Sequence, residues 1–267
     1  MTDFTLFTSS TPFAPFAPFA PTFFANIVVD AYTTSSLFNK LIAYLLIFLS
    51  VYTWSMMVGK FGELKVIDYN NIKFRNQYKG YTHPTRILID GLKFPPEIPI
   101  VIIYKSVIKE LLAVLRKTGL SDEEITRWQF SAELRPPVIT NIELEAIKAV
   151  SERELAEQIL FLERRMSILA TCTTTAPSLG LLGTVWGVME SFMAMASGGG
   201  STMISSVAPG ISGALLTTVL GLVIAIPSAI GYNILNDKVR KITVDVENFS
   251  DMLMTDIIMK HSLQKEF

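Results

Sequence analysis

The stretch that decides the fold is MSILATCTTTAPSLGLLGTVWGVMESFMAMA (166–196), SGGGSTM (197–203) and ISSVAPGISGALLTTVLGLVIAIPSAIGYNIL (204–235). Glu190 is its single charged side chain. An apolar run of about 18 or more residues can cross a bilayer as a helix, because there each backbone amide must bond within its own segment. Two such runs joined by a glycine turn read as a transmembrane hairpin. Both runs are rich in Gly, Ser, Thr and Pro. Helices with such faces pack closely on other helices or line a polar path.

Toward the N-terminus, Leu41–Val58 is also uncharged, and Leu37 and Phe38 extend it. Its length, at about 1.5 Å per residue, reaches about 27 Å, enough to span. This places a first span at 37–58, with Lys60 marking its inner boundary. Asn26–Tyr32 reads as a short interfacial helix leading in. The predicted fold is therefore an all-α membrane protein with three transmembrane helices, 37–58, 166–196 and 204–235. The second and third extend beyond the bilayer. A cytoplasmic helical domain occupies 59–165, and a cytoplasmic C-terminal helix occupies 236–267.

Within 59–165, Ile100–Leu115 has apolar residues at helical spacing. Ser121-Asp122-Glu123-Glu124 is a capping box that opens a second helix running to about Leu134. From Ile142 the charged residues are interleaved with Leu, Ile and Ala. No Pro or Gly intervenes before Pro177, so one continuous helix is expected to rise into the second span.

The placement of charge fixes an expected orientation. Of 23 Lys and Arg, 17 lie in 59–167, five in 236–267, and Lys40 is the last. Residues 1–39 and the turn 197–203 have none. Basic segments stay on the cytoplasmic side. The tail 1–36 and the turn are thus expected on the outer side of the membrane, and the C-terminus on the cytoplasmic side. No cleavable signal peptide is expected, since the first 36 residues lack a basic start. The tail carries a Phe-Ala-Pro repeat over Phe13–Pro21, which blocks helix and ladder formation and favours extended chain. It reads either as an outer tail or as an aromatic strip for docking.

Half of the residues are hydrophobic, 18% are charged and mean hydropathy is +0.41. This excludes a disordered or purely soluble class. One cysteine, Cys172, and two distant histidines, His83 and His261, allow no disulfide framework and no cysteine-based zinc site within the chain. No catalytic triad or phosphate loop is visible. An enzyme is not expected, nor a cofactor or metal.

Small and polar residues recur at three- and four-residue steps in both runs of the hairpin. In the second span they are Thr173, Pro177, Gly180, Thr184, Gly187/Val188 and Ser191. In the third they are Ser206, Gly210, Gly213/Ala214, Thr217/Thr218, Gly221, Ala225 and Ser228. The glycines, with Gly183, read as helix-packing contacts. Pro177, Pro209 and Pro227 read as kinks or helix starts. For Thr184, Thr217 and Thr218 two readings stand: a hydroxyl bonded back to its own helix, or a hydroxyl lining a wet seam. Glu190, about 9 Å outward from Thr184 along the helix, also has two. It is an interfacial carboxylate touching outer water, or a pore-mouth group that attracts cations.

Ala176-Pro177-Ser178-Leu179-Gly180-Leu181-Leu182-Gly183-Thr184-Val185-Trp186-Gly187 is similar to the second-span signature of the TolQ/ExbB/MotA proton-channel family. Val207-Ala208-Pro209-Gly210-Ile211-Ser212-Gly213-Ala214-Leu215-Leu216-Thr217-Thr218, with Ala225-Ile226-Pro227 and Tyr232-Asn233, resembles its third-span signature. The resemblance implies a homopentamer around two copies of a single-span TolR/ExbD-like partner, whose membrane aspartate carries the proton. It implies that the threonines, by position Thr184 and Thr218, face the pore. It also implies that proton flow is passed on to a TolA- or TonB-like protein reaching the outer membrane. The segments Leu169-Ala170-Thr171 and Tyr232–Phe249 look more like the TolQ branch, with a role in envelope integrity and division, than like the ExbB branch. One departure stands out. The family pattern Ala-Pro-Gly-Ile-Ala-Glu-Ala-Leu has its glutamate where this chain has Gly213. Either that carboxylate is dispensable or Glu190 substitutes for it. A non-conducting membrane scaffold is the rival reading from another class.

Overall fold

The computed structural model describes residues 29, 31–33, 35–81, 83–89, 94–121, 123, 124, 127, 139–197 and 204–262. Among them every regular element is helical: α1 Leu37–Lys79, α2 Arg86–Ile89, α3 Pro99–Lys117, α4 Asn141–Glu163, α5 Met166–Ser197 and α6 Ile204–Ser262. Three tracts, in α1, α4–α5 and α6, are long and apolar enough to cross a membrane. The chain is a multi-pass membrane protein. The Phe-Ala-Pro tail, the glycine turn and most of the second capped helix lie outside the described residues. Of the interfacial helix expected at Asn26–Tyr32, Val29 and Ala31–Tyr32 are described and helical, and Thr33 continues the helix.

The helices divide into two compact units, residues up to Leu49 with Thr175–Ala225, and Ser50–Thr174 with Ile226–Phe267. In the first unit Ile42 and Leu46 of α1 are buried with Ala176 of α5 and Ile224 and Ala225 of α6. Lipid is as apolar as these side chains, so close fit rather than escape from water holds this unit together.

The second unit is a helical bundle with a conventional core. On α1 the buried positions are Lys60, Leu64, Ile67, Asn71, Phe74 and Tyr78; on α6 they are Leu235, Val239, Ile242, Val246, Phe249, Leu253 and Ile257. Steps of three and four put each set on one helix face. Phe74 sits at the centre, its ring 5.3 to 5.7 Å from those of Phe94, Tyr104 and Phe249. Each large apolar side chain buried here contributes about 1.5–3 kcal/mol. Polar bonds fix the register: Arg75 to Asp245 at 2.8 Å, the Tyr78 hydroxyl to Asp256 at 2.8 Å, and Ser151 with Ser250 at 2.8 Å. The amphipathic helix expected at Ile100–Leu115 is α3, which packs on α4.

Two boundaries differ from expectation. The first helix does not stop at the end of its span but continues to Lys79. The single helix expected from Ile142 into the second span is broken between Glu163 and Met166. There Arg165 takes a left-handed conformation, φ 72°, which costs a non-glycine residue about 1–2 kcal/mol. Arg164 and Arg165 are exposed, while Leu162 and Met166 on either side are buried in the bundle core. The break turns two adjacent cations outward without losing either apolar anchor. A third helix start carries its own signal: Thr140 and Glu143 bond reciprocally as a capping box for α4.

Candidate ion pathway in the hairpin

Glycine lets α5 and α6 approach backbone to backbone. A methyl group placed on Gly180 would lie 2.9 Å from the Thr217 carbonyl oxygen, and one on Gly221 would lie 2.7 Å from that of Ala176. On Gly187 it would meet the Ala214 methyl at 2.5 Å, and on Gly210 the Ser191 hydroxyl at 2.5 Å. Gly183 is pressed against the Thr217 side chain. Gly213 faces elsewhere, against Ser35 and 3.0 Å from the Ala31 carbonyl oxygen, at the entry to α1. Pro177 lies inside α5, and Pro209 and Pro227 inside α6, where each removes one amide from the helical ladder.

The hydroxyls are all donors to carbonyls. Thr184 donates to Leu181 of its own helix at 2.8 Å. Thr217, almost fully buried, donates to Ala214 at 2.7 Å and shares the Gly180 carbonyl at 3.2 Å. Thr218 donates across the helix pair to Gly180 at 2.9 Å. A hydroxyl keeps two lone pairs after donating its proton. Thr184 and Thr218 are half-buried, so what each can still offer a visitor is an acceptor.

Helix geometry sorts these groups onto two flanks. Successive side chains are about 100° apart around a helix. Relative to the seam Gly180–Gly183–Gly187, Thr184 lies to one side and Trp186 and Glu190 to the other. Relative to the seam Gly210–Ala214–Thr217–Gly221, Thr218 lies to one side and Gly213 to the other. Contacts of the first helix show which side is which. Phe38 stacks on Trp186, ring centroids 4.3 Å apart; Asn39 reaches Gly187; Ser35 covers Gly213. Thr184 and Thr218 therefore share the flank away from α1. Glu190 and Gly213 share the flank that α1 covers. They also share a depth, because the contacts Ser191–Gly210 and Gly187–Ala214 bracket both.

Glu190 is half-buried and accepts a 2.8 Å bond from the Trp186 indole nitrogen. Sequence reasoning missed the part played by α1. Asn39 is almost fully buried and both atoms of its amide lack a partner. Its signal in the sequence was a lone amide opening an apolar run beside Lys40.

A model of the MotA/TolQ/ExbB proton channel family matches residues 121–248, which include the whole hairpin. The chain is 40% identical over 120 residues to the Tol-Pal system protein TolQ of Haemophilus influenzae, covering 45% of this chain and 50% of that one. It is 39% identical over 136 residues to the biopolymer transport protein ExbB of Pseudomonas putida, covering 48% of this chain and 39% of that one. It is 39% identical over 108 residues to ExbB of Aquifex aeolicus, covering 40% of this chain and 68% of that one. The chain spans half or less of the length of the first two relatives. A match at 39% identity that covers two thirds of one relative identifies the lineage. This chain belongs to the MotA/TolQ/ExbB proton channel family, a family of transporters rather than enzymes.

Proposed function

We propose that this chain is the multi-span subunit of a proton-driven motor in a bacterial inner membrane, with its N-terminus periplasmic and its C-terminus cytoplasmic. Five copies surround a pair of TolR/ExbD-like single-span partners. The observation that carries the reading is that Thr184 and Thr218 fall on one flank of the hairpin, away from α1. Their protons are committed to carbonyls, so both hydroxyls accept. A water, or a protonated carboxylic acid on the partner, is the complementary donor. Glu190 is the one carboxylate in the three spans and lies on the other flank, so a deep relay needs the partner's acid. Proton entry is driven by about 2.3 kcal/mol per charge for each 100 mV.

The proposed service is TolQ-like: energising a TolA-like protein in envelope integrity and division. An ExbB-like role, energising a TonB-like protein, is the alternative, and relatives of both names match with similar identity. A non-conducting scaffold is favoured by glycine in place of glutamate at position 213, by the glycine packing of the hairpin and by the use of Thr217 and Thr218 in bonds to Gly180.

The test is proton flux into liposomes holding the protein and its single-span partner. Thr184→Ala with Thr218→Ala is expected to abolish voltage-driven flux while the pentamer still assembles. Full flux in the double variant would remove the hydroxyl path, and no flux in the wild-type complex would leave the scaffold.

A further inference from the structure

A cavity of about 560 Å³ lies in the helical bundle, lined among others by Gly62, Glu63, Ile67, Glu97, Phe161 and Arg164. Its place along the chain sets its level. Lys60 is the first charge after the first apolar run, and Arg164 and Arg165 are the last before the second. The cavity therefore opens where the apolar runs end, at the level of lipid headgroups. Its size falls within the range of small-molecule sites.

The charges around it form a dipole. Lys60 is buried and its Nζ donates to Glu63 at 3.2 Å, so these two largely cancel. Two cations lie near Phe161, the Lys60 nitrogen 5.9 Å and the Arg164 guanidinium 5.4 Å from its ring centroid. What remains for a ligand is the Arg164 guanidinium and the Glu97 carboxylate, both of which line the cavity. Arg164 lines it because the helix breaks there. A guanidinium fits phosphate, and a carboxylate fits a primary ammonium. The face of α1 that carries Gly59 and Gly62 is open. A methyl group on Gly59 or Gly62, one turn apart on the same face, would meet nothing within 4 Å. The two positions leave an open lane along the helix.

We propose that the cavity binds the headgroup of a phosphatidylethanolamine, its phosphate on Arg164 and its ammonium on Glu97, with one acyl chain along the Gly59–Gly62 lane. The site is independent of the conduction path. An anionic headgroup would meet Arg164 but would leave the Glu97 carboxylate without an ammonium to pair with it.

The test is native mass spectrometry of the full chain, assembled and released from nanodiscs of phosphatidylethanolamine mixed equally with phosphatidylglycerol. The wild type is expected to retain phosphatidylethanolamine about tenfold over phosphatidylglycerol, equivalent to about 1.4 kcal/mol. Glu97→Gln is expected to remove that preference, and Arg164→Gln to lower retention of both lipids. Gly62→Leu closes the lane without changing charge and is expected to release the lipid from a complex of unchanged size and helicity. Equal retention of the two lipids by the wild type, or a preference that survives Glu97→Gln and Gly62→Leu, overturns the assignment.

Discussion

The Thr218 hydroxyl of α6 donates to the Gly180 carbonyl of α5 at 2.9 Å, across a backbone-to-backbone contact of the hairpin. One residue pair thus joins the packing seam to the proposed conduction flank. Gly180 must be glycine for the backbones to meet, and only that approach brings its carbonyl within reach of position 218.

The two roles of glycine in this chain give opposite signs for one substitution. Gly180→Ala puts a methyl 2.9 Å from a backbone oxygen that cannot move away cheaply. It is expected to destabilise the detergent-solubilised complex by about 1–3 kcal/mol. Gly59→Ala fills open space on α1 and is expected to be neutral or stabilising by up to about 1 kcal/mol through helix propensity. Thermal unfolding of the two variants side by side checks this. Equal melting shifts would mean that the seam is looser than its glycines imply.

Trp186 and Glu190 lie on the α1 flank, away from Thr184. Glu190→Gln is therefore expected to reduce flux by about tenfold or less, as a loss of cation attraction at the mouth. It is not expected to abolish flux as the double threonine change does. Trp186→Phe keeps a ring against Phe38 but removes the donor to Glu190, and is expected to share the milder effect. Flux abolished by Glu190→Gln alone would place the carboxylate on the conducting route.

Most of the scaffold was legible in the chain because hydrophobic run length and small-residue spacing are local signals. The spans, the amphipathic α3 and the stripes of Gly180 and Gly221 follow from them. The break at Arg164–Arg165 was not legible, because nothing in two arginines forbids a continuing helix; burial of Leu162 and Met166 on either side sets it. The extension of α1 was hidden by its mixed composition, although Leu64, Ile67, Phe74 and Tyr78 carry the period of a buried face. The partition of Thr184 from Glu190 depends on which flank α1 covers. That is a contact between segments about 150 residues apart, and no local pattern encodes it.

Position 213 is where the family pattern places glutamate, and here it is a glycine covered by Ser35. Restoring the pattern by Gly213→Glu is expected to be destructive. The longer side chain would run into Ser35 and the Ala31 carbonyl and lift the start of α1 from the hairpin. A cost of several kcal/mol is expected from burying a carboxylate without a partner in that contact. Size-exclusion chromatography and melting of the complex report it. A variant that assembles and melts like the wild type would show that the α1 entry segment yields without cost.

Tyr78 supplies a pH signature for the bundle. Burial, and then the hydrogen bond and charge of Asp256, hold its phenol well above the ordinary value of 10.0. Below pH 10 the phenol keeps its proton folded or unfolded, so its contribution to stability is fully present. Above pH 10 the unfolded chain releases that proton and the folded chain does not. The unfolded state then gains about 1.4 kcal/mol per pH unit from this one residue. Tyr78→Phe gives up the bond to Asp256, about 1–3 kcal/mol at neutral pH because the acceptor is charged. It also removes the alkaline slope, so the wild-type advantage is expected to shrink as pH rises from about 10 to 11. Chemical denaturation of both proteins across that range measures the difference directly. The remaining tyrosines are common to both chains and cancel. Parallel stability curves would mean that the Tyr78 phenol ionises as freely in the bundle as in the unfolded chain.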